Sequence, residues 1–219
     1  MRRNLLKPVL ICLIAFLVLY SAVDLFWPFH RDLRAFTPAE LADLETGMWR
    51  SYYSKKFVAL FFQLAEVLRT QYQFPPLRSF IGAYHAARAA FIFKEGTRRA
   101  EYEAALPSLV SYFGAIHRIG NINFDVTRAS HAELEWWIVH RERKSYPPDA
   151  LGRACAEAAS ALYRVPADSL MEHGNLRAAA MVIRDTRQDS GAVREEDWNR
   201  IDSLLRRCYA SLHGRVAGE

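Results

Sequence analysis

The apolar positions of this chain follow two different patterns. From Val9 to Val23 the sequence reads VLICLIAFLVLYSAV without a charge, and after Asp24 the apolar run resumes as Leu25, Phe26, Trp27, Pro28 and Phe29. About twenty such residues cross a bilayer core as a helix, so a transmembrane segment is predicted over residues 8–29. A cleaved signal would begin the same way, with a basic Arg2, Arg3 and Lys7 before the apolar run. It would then end in an A-x-A-like pair of small residues. Cuts after Ser21 or Ala22 place Leu19 or Tyr20 three positions back, which favours an uncleaved anchor.

From residue 35 onward apolar residues recur three or four apart, and no run alternates with period two. This predicts an all-α protein, with the anchor followed by a bundle of about six to eight helices. Thr37-Pro38-Ala39-Glu40 has the form of a capping box and opens a helix predicted to run to Tyr72, with Gly47 as its one candidate interruption. Further helices are predicted over 77–94, over 97–119 with Pro107 as a kink or break, over 126–144 with Asp125 as N-cap, and over 148–164. His173-Gly174-Asn175 is predicted to separate a short helix after Pro166 from one over 176–187. The last helix is predicted over 195–212. Residues 1–34 are therefore read as anchor and flanks, and 35–219 as a single helical domain, since the seventy residues beyond Pro147-Pro148 would make a thin core alone.

A turn of 100° per residue asks which polar groups point inward. On the 126–144 helix, Glu133 and His140 share a face with Val126, Ala129, Trp136 and Trp137, while His131 and Glu135 fall opposite. On the 77–94 helix, Phe80, Ile81, Tyr84, Phe91 and Ile92 form an apolar arc with Arg88 in its middle and His85 at its edge. A guanidinium buried there needs a partner, and Glu133 and Asp185 are the candidates. His85, Arg88, Glu133 and His140 are thus the candidate site. They form either a satisfied polar network that fixes helix register, or an acid/base and anion-binding group.

Other chemistry finds little support. None of the seven His has Glu three positions before it, so the helical di-metal pattern is missing. There is no His-Glu-x-x-His, no G-x-S-x-G and no glycine-rich phosphate loop. A metal held by His85, Glu133 and His140 is geometrically conceivable, but no spacing requires it, and no metal or cofactor is expected. Cys155 and Cys208 are either a disulfide between two C-terminal helices or two separate buried thiols.

The net charge of +5 suggests an anionic partner until it is located. Arg2, Arg3, Lys7, Arg31 and Arg34 against Asp24 and Asp32 put +3 into residues 1–34, leaving +2 for the domain. The excess marks a membrane flank, so no nucleic acid is expected as a partner. The distribution favours a cytoplasmic N-terminus and an extracytoplasmic domain. Two functions follow. The first is a membrane-anchored accessory protein that binds a protein partner or membrane complex. The alternative is a membrane-tethered enzyme or ligand-binding domain with its Glu/His/Arg site between helices 77–94 and 126–144. The absence of catalytic signatures leans against an enzyme.

Overall fold

The computed structural model describes residues 3–218, with side-chain surroundings from Lys7 onward, so Arg2 and the Arg3 side chain of the basic flank lie outside the described residues. Helix α1 (Arg3–Phe26) contains a stretch, Lys7–Phe26, that is long and apolar enough to cross a membrane and is almost wholly exposed. It stops before Trp27-Pro28, three residues earlier than predicted, because a residue preceding proline is steered out of the helical region.

The remaining helices are α2 (Pro38–Tyr53), α3 (Phe57–Thr70), α4 (Pro76–Glu95), a short α5 (Arg99–Tyr102), α6 (Leu106–Ile119), α7 (Val126–Arg141), α8 (Ala150–Tyr163), α9 (Met171–Asp189) and α10 (Glu195–Val216). The described residues contain no strand, only an isolated bridge between Arg31 and Gly120. Packing runs from neighbour to neighbour: α2 on α3, α3 on α4, α4 on α6, α6 on α7, α7 on α8, α8 on α9 and α9 on α10. Helix α10 then returns to α2. The domain is a closed ring of eight helices.

The seam that closes the ring is polar. Arg50 grips Glu195 through two bonds of 2.8 Å, Thr46 Oγ1 donates to Asp202 at 3.2 Å, and Arg206 bridges Asp43 and Asp202. Between α8 and α9 the backbones touch. A Cβ added at Gly174 would lie 2.0 Å from the Gly152 carbonyl oxygen, and one at Gly152 would lie 2.2 Å from Asn175 Oδ1.

That contact explains one departure from the sequence expectation: α9 runs unbroken through His173-Gly174-Asn175, where the glycine serves close packing rather than a turn. A second departure is the break between α2 and α3 at Ser54–Lys56 instead of at Gly47. The Lys56 N–H reaches the Ser51 carbonyl at 2.8 Å and the Lys55 N–H the Tyr52 carbonyl at 3.1 Å, with Lys55 at φ 58°. This is a Schellman stop built on lysine where glycine is usual. Pro107 lies in the first turn of α6, so the predicted 97–119 helix is two pieces. Thr37 opens α2 without its side-chain cap. Its N–H donates to Gln71 Oε1 at 3.0 Å, and Gln71 Nε2 donates to Glu40 at 3.0 Å, so the glutamine stands where the capping box was expected.

The chain after α1 is tied into the domain. Leu33 and Phe36 are buried in the main core, and Arg31 pairs with Ile119 and Asn121 along the backbone. Helix α4 begins Pro75-Pro76, which supplies neither a side-chain cap nor an N–H at its first position. Asp24 of α1 takes over. Its carboxylate, 3% exposed, accepts from the Leu77 N–H at 3.1 Å and the Arg78 N–H at 3.2 Å.

Candidate functional site

The ring holds an open cavity of about 490 Å³, lined from α2, α3, α4, α6, α7 and α9. Its walls carry aromatic side chains, with Trp49, Tyr53, Tyr112, Trp136 and Trp137 among them, and its charged groups fall into three clusters besides Arg141, which donates to the Phe93 and Gly96 carbonyls. A smaller cavity of about 180 Å³ adjoins it and shares Tyr112, Glu133, Trp136 and Arg177.

The first cluster joins α2 to α9. Arg177 donates to both Glu45 oxygens, at 2.5 and 3.3 Å, and to the Tyr209 hydroxyl at 3.0 Å. Trp49 Nε1 and the Tyr209 hydroxyl also donate to Glu45. Burial opposes the Arg177 charge, and Glu45 outweighs it, holding the guanidinium firmly protonated. Nothing in this cluster is left to bind a further ligand strongly.

The second cluster is centred on Asp185. It accepts from His140 Nε2 at 2.9 Å, from Arg143 Nη1 at 2.9 Å and from Arg184 Nη1 at 3.2 Å. Burial pushes its carboxyl up, but the His140 hydrogen bond and charge, together with Arg184 and Arg143, hold it below the ordinary range. Arg184 lies with its guanidinium carbon 3.2 Å from the Tyr53 ring centroid.

The third is Glu133, a turn of α7 away from Trp137, whose Nε1 donates to it at 3.0 Å. No cation lies within hydrogen-bonding distance of Glu133 among the described residues. Protein encloses it, yet part of its surface opens to the cavities. Burial raises its carboxyl against the smaller opposing effects of Trp136, Arg177 and Trp137. A carboxyl so placed can stay protonated and donate a hydrogen bond, or hold and release a proton.

Two of the four sequence candidates, Glu133 and His140, therefore face the cavity, and two do not. Arg88 is exposed, with no ion pair among the described residues, and His85 sits on the flank of α4, its pKa lowered by burial and by Arg88 and Arg118. The expected partnership of Arg88 with Glu133 or Asp185 is absent because α4 turns inside out. It buries Ser79, Gly82, Ala83 and Ala89, with Phe93 as the one large apolar residue among them, and presents Phe80, Ile81, Tyr84 and Phe91 outward. Small residues let α4 lie close to its neighbours, so the large apolar arc is not the inner face. Arg177 and Glu45 were missed, although Arg177, Ala180, Met181 and Arg184 share one face of α9 at helical spacing.

The cysteines take no part in a disulfide. Cys155 and Cys208 are free and buried, and burial pushes the Cys155 thiol up to about 12 and the Cys208 thiol likewise far up. Cys208 Sγ lies 3.0 Å from His173 Nδ1, but that imidazole is lowered to about 4 by burial and by Arg177, so no thiolate is stabilised there. His85, Glu133 and His140 do not come together, and no group of three His, Cys, Asp or Glu suited to a metal occurs among the described residues. No protein-family model matches the chain, and neither a curated protein nor a solved structure matches it.

Proposed function

We propose that the chain is a membrane-anchored ligand-binding domain. Helix α1 crosses the bilayer, and the ring takes up a small molecule with an apolar body and a hydrogen-bond-accepting head that meets the Glu133 carboxyl. The observation that carries this reading is the 490 Å³ cavity with its aromatic side chains, in the size range of small-molecule sites, with one acid left without a cationic partner. The accessory, partner-binding role rests on the lack of catalytic signatures. The cavity is a positive feature, and it ranks the ligand-binding alternative first. Nothing in the site supplies an activated nucleophile, so binding rather than turnover is proposed.

The topology proposed is N-inside, carried by Arg2, Arg3 and Lys7 against Arg31 and Arg34. A C-terminal reporter active only in the cytoplasm would overturn it. For the ligand, native mass spectrometry of the full chain released from its own membranes should show a bound mass of a few hundred daltons. Ala90→Trp, which fills the cavity from α4, should abolish it. A bare wild-type chain, together with a more stable Ala90→Trp variant, would identify the cavity as an empty packing defect.

A further inference from the structure

The α3–α4 hairpin is the basic part of an otherwise slightly acidic domain. Residues 54–95 hold six basic side chains (Lys55, Lys56, Arg69, Arg78, Arg88, Lys94) against Glu66 and Glu95. That is +4, so the rest of the domain carries −2. The same hairpin bears exposed large apolar side chains. Val58 is 74% exposed, Phe62 56% and Tyr84 53%, with Phe80, Ile81 and Phe91 beside them. They form one surface: Phe62 and Phe80 have ring centroids 6.1 Å apart, and Phe57 and Phe91 are 5.0 Å apart.

The hairpin is also joined to the end of the anchor. Asp24 caps α4 at Leu77 and Arg78, one turn before Phe80 and Ile81, and Arg78 Nη2 donates to the Trp27 carbonyl at 2.6 Å. We infer that the outer face of α3–α4 is a second membrane contact, lying in the headgroup region of the leaflet from which α1 emerges. Its aromatic and aliphatic side chains enter the acyl boundary while Lys55, Lys56 and Arg88 meet anionic headgroups. This rests on the proposed anchoring by α1. A second copy of the chain fits the face less well, because a twofold pair would set +4 against +4. The arrangement of α4 up to Phe91, with Ser79, Gly82, Ala83 and Ala89 inward and Phe80, Ile81, Tyr84 and Phe91 outward, suits a helix whose outer solvent is lipid.

The test uses the full chain in nanodiscs of phosphatidylcholine with or without phosphatidylglycerol, carrying nitroxide labels. One label is on the native Cys12 in α1. The others are on Phe62→Cys, Tyr84→Cys and, as an exposed control on α8, Glu157→Cys, each with Cys12→Ser. Cys155 and Cys208 are buried and stay unlabelled.

With phosphatidylglycerol present, the labels at 62 and 84 should, like Cys12, be relaxed by oxygen and lose accessibility to a water-soluble nickel complex that still reaches 157. The shielding at 84 should be lost without phosphatidylglycerol, and equally in a Lys55→Glu, Lys56→Glu, Arg88→Glu variant. Nickel reaching 62 and 84 as freely as 157, with Cys12 still shielded, overturns the hairpin contact and leaves the anchor standing. Nickel reaching Cys12 overturns both. Shielding from both reagents with a doubled particle mass makes the face a dimer interface and overturns the lipid contact.

Discussion

Two walls of the ring obey opposite rules. The α7–α9 wall puts charge inside and pairs most of it: Arg177 meets Glu45 of α2, and Asp185 meets His140, Arg143 and Arg184, while Glu133 alone lacks a cation. The α3–α4 wall lines the cavity with Leu60, Leu64, Ala86, Ala90 and Phe93, without a charge, and leaves a second set of large apolar side chains, Val58, Phe62, Phe80 and Tyr84 among them, outside. A face normally pays for polarity where water is absent, and the first wall does so by pairing. The second is built as though its exterior were not water. The difference shows that large apolar side chains do not by themselves mark the core side of a helix, and that an exposed set of them calls for an explanation of its own.

The largest test of this contrast is Arg177→Met. It strands Glu45 in the interior and should cost about 3–5 kcal/mol, lowering the melting temperature of the detergent-solubilised chain by on the order of 10 °C. The double variant Glu45→Leu, Arg177→Met should recover much of that loss. A single-variant cost no greater than a surface substitution would show that the pair is not holding the wall together.

Adjacent positions on α4 give the next contrast. Ala83 is fully buried and Tyr84 half exposed, so Ala83→Leu should cost about 1–3 kcal/mol by overpacking, whereas Tyr84→Ser in detergent should shift the midpoint of denaturation hardly at all. Equal costs would erase the distinction between inner and outer faces.

Two acids on the first wall then separate by pH. The Asp185 carboxyl lies below its ordinary 3.8 in the folded state. Its contribution is therefore present above that value and lost as pH falls through the depressed one. Asp185→Asn should cost about 2 kcal/mol at neutral pH and flatten the acid limb of a stability profile measured by chemical denaturation. Glu133 has the opposite sign. Raised above 4.5, it favours folding while protonated and loses that contribution as pH rises through the folded value. Glu133→Gln should accordingly be slightly more stable than wild type, by about 1 kcal/mol or less, above that pH and equal to it below 4.5. A loss of stability in Glu133→Gln at neutral pH would mean the carboxylate is paired after all.

Much of this architecture is legible from the sequence, and the failures have causes. The apolar run of α1, the Asp125 cap of α7, whose side chain accepts from the Arg128 N–H, and the inward pair Glu133 and His140 all follow from period and capping chemistry. The helical stop at Lys55 does not, because it adopts positive φ without glycine. Gly174 misled in the reverse direction, marking a close contact with α8 that only the tertiary structure reveals. Large apolar residues predict the core side of α4 and so put Arg88 inward, whereas the helix packs mainly through Ser79, Gly82, Ala83 and Ala89. The Glu45–Arg177 pair joins residues 132 apart, and nothing local to either announces the other.

The closing seam of the ring has a consequence in time. Thr46 and Asp202 are separated by 156 residues, which at about 5–20 residues per second of synthesis is roughly ten to thirty seconds. Throughout that interval α2 stands without α10. The ring stays open along that seam until α10 has been made, so Asp43 and Arg50 of α2 meet water long before they meet their partners on α10.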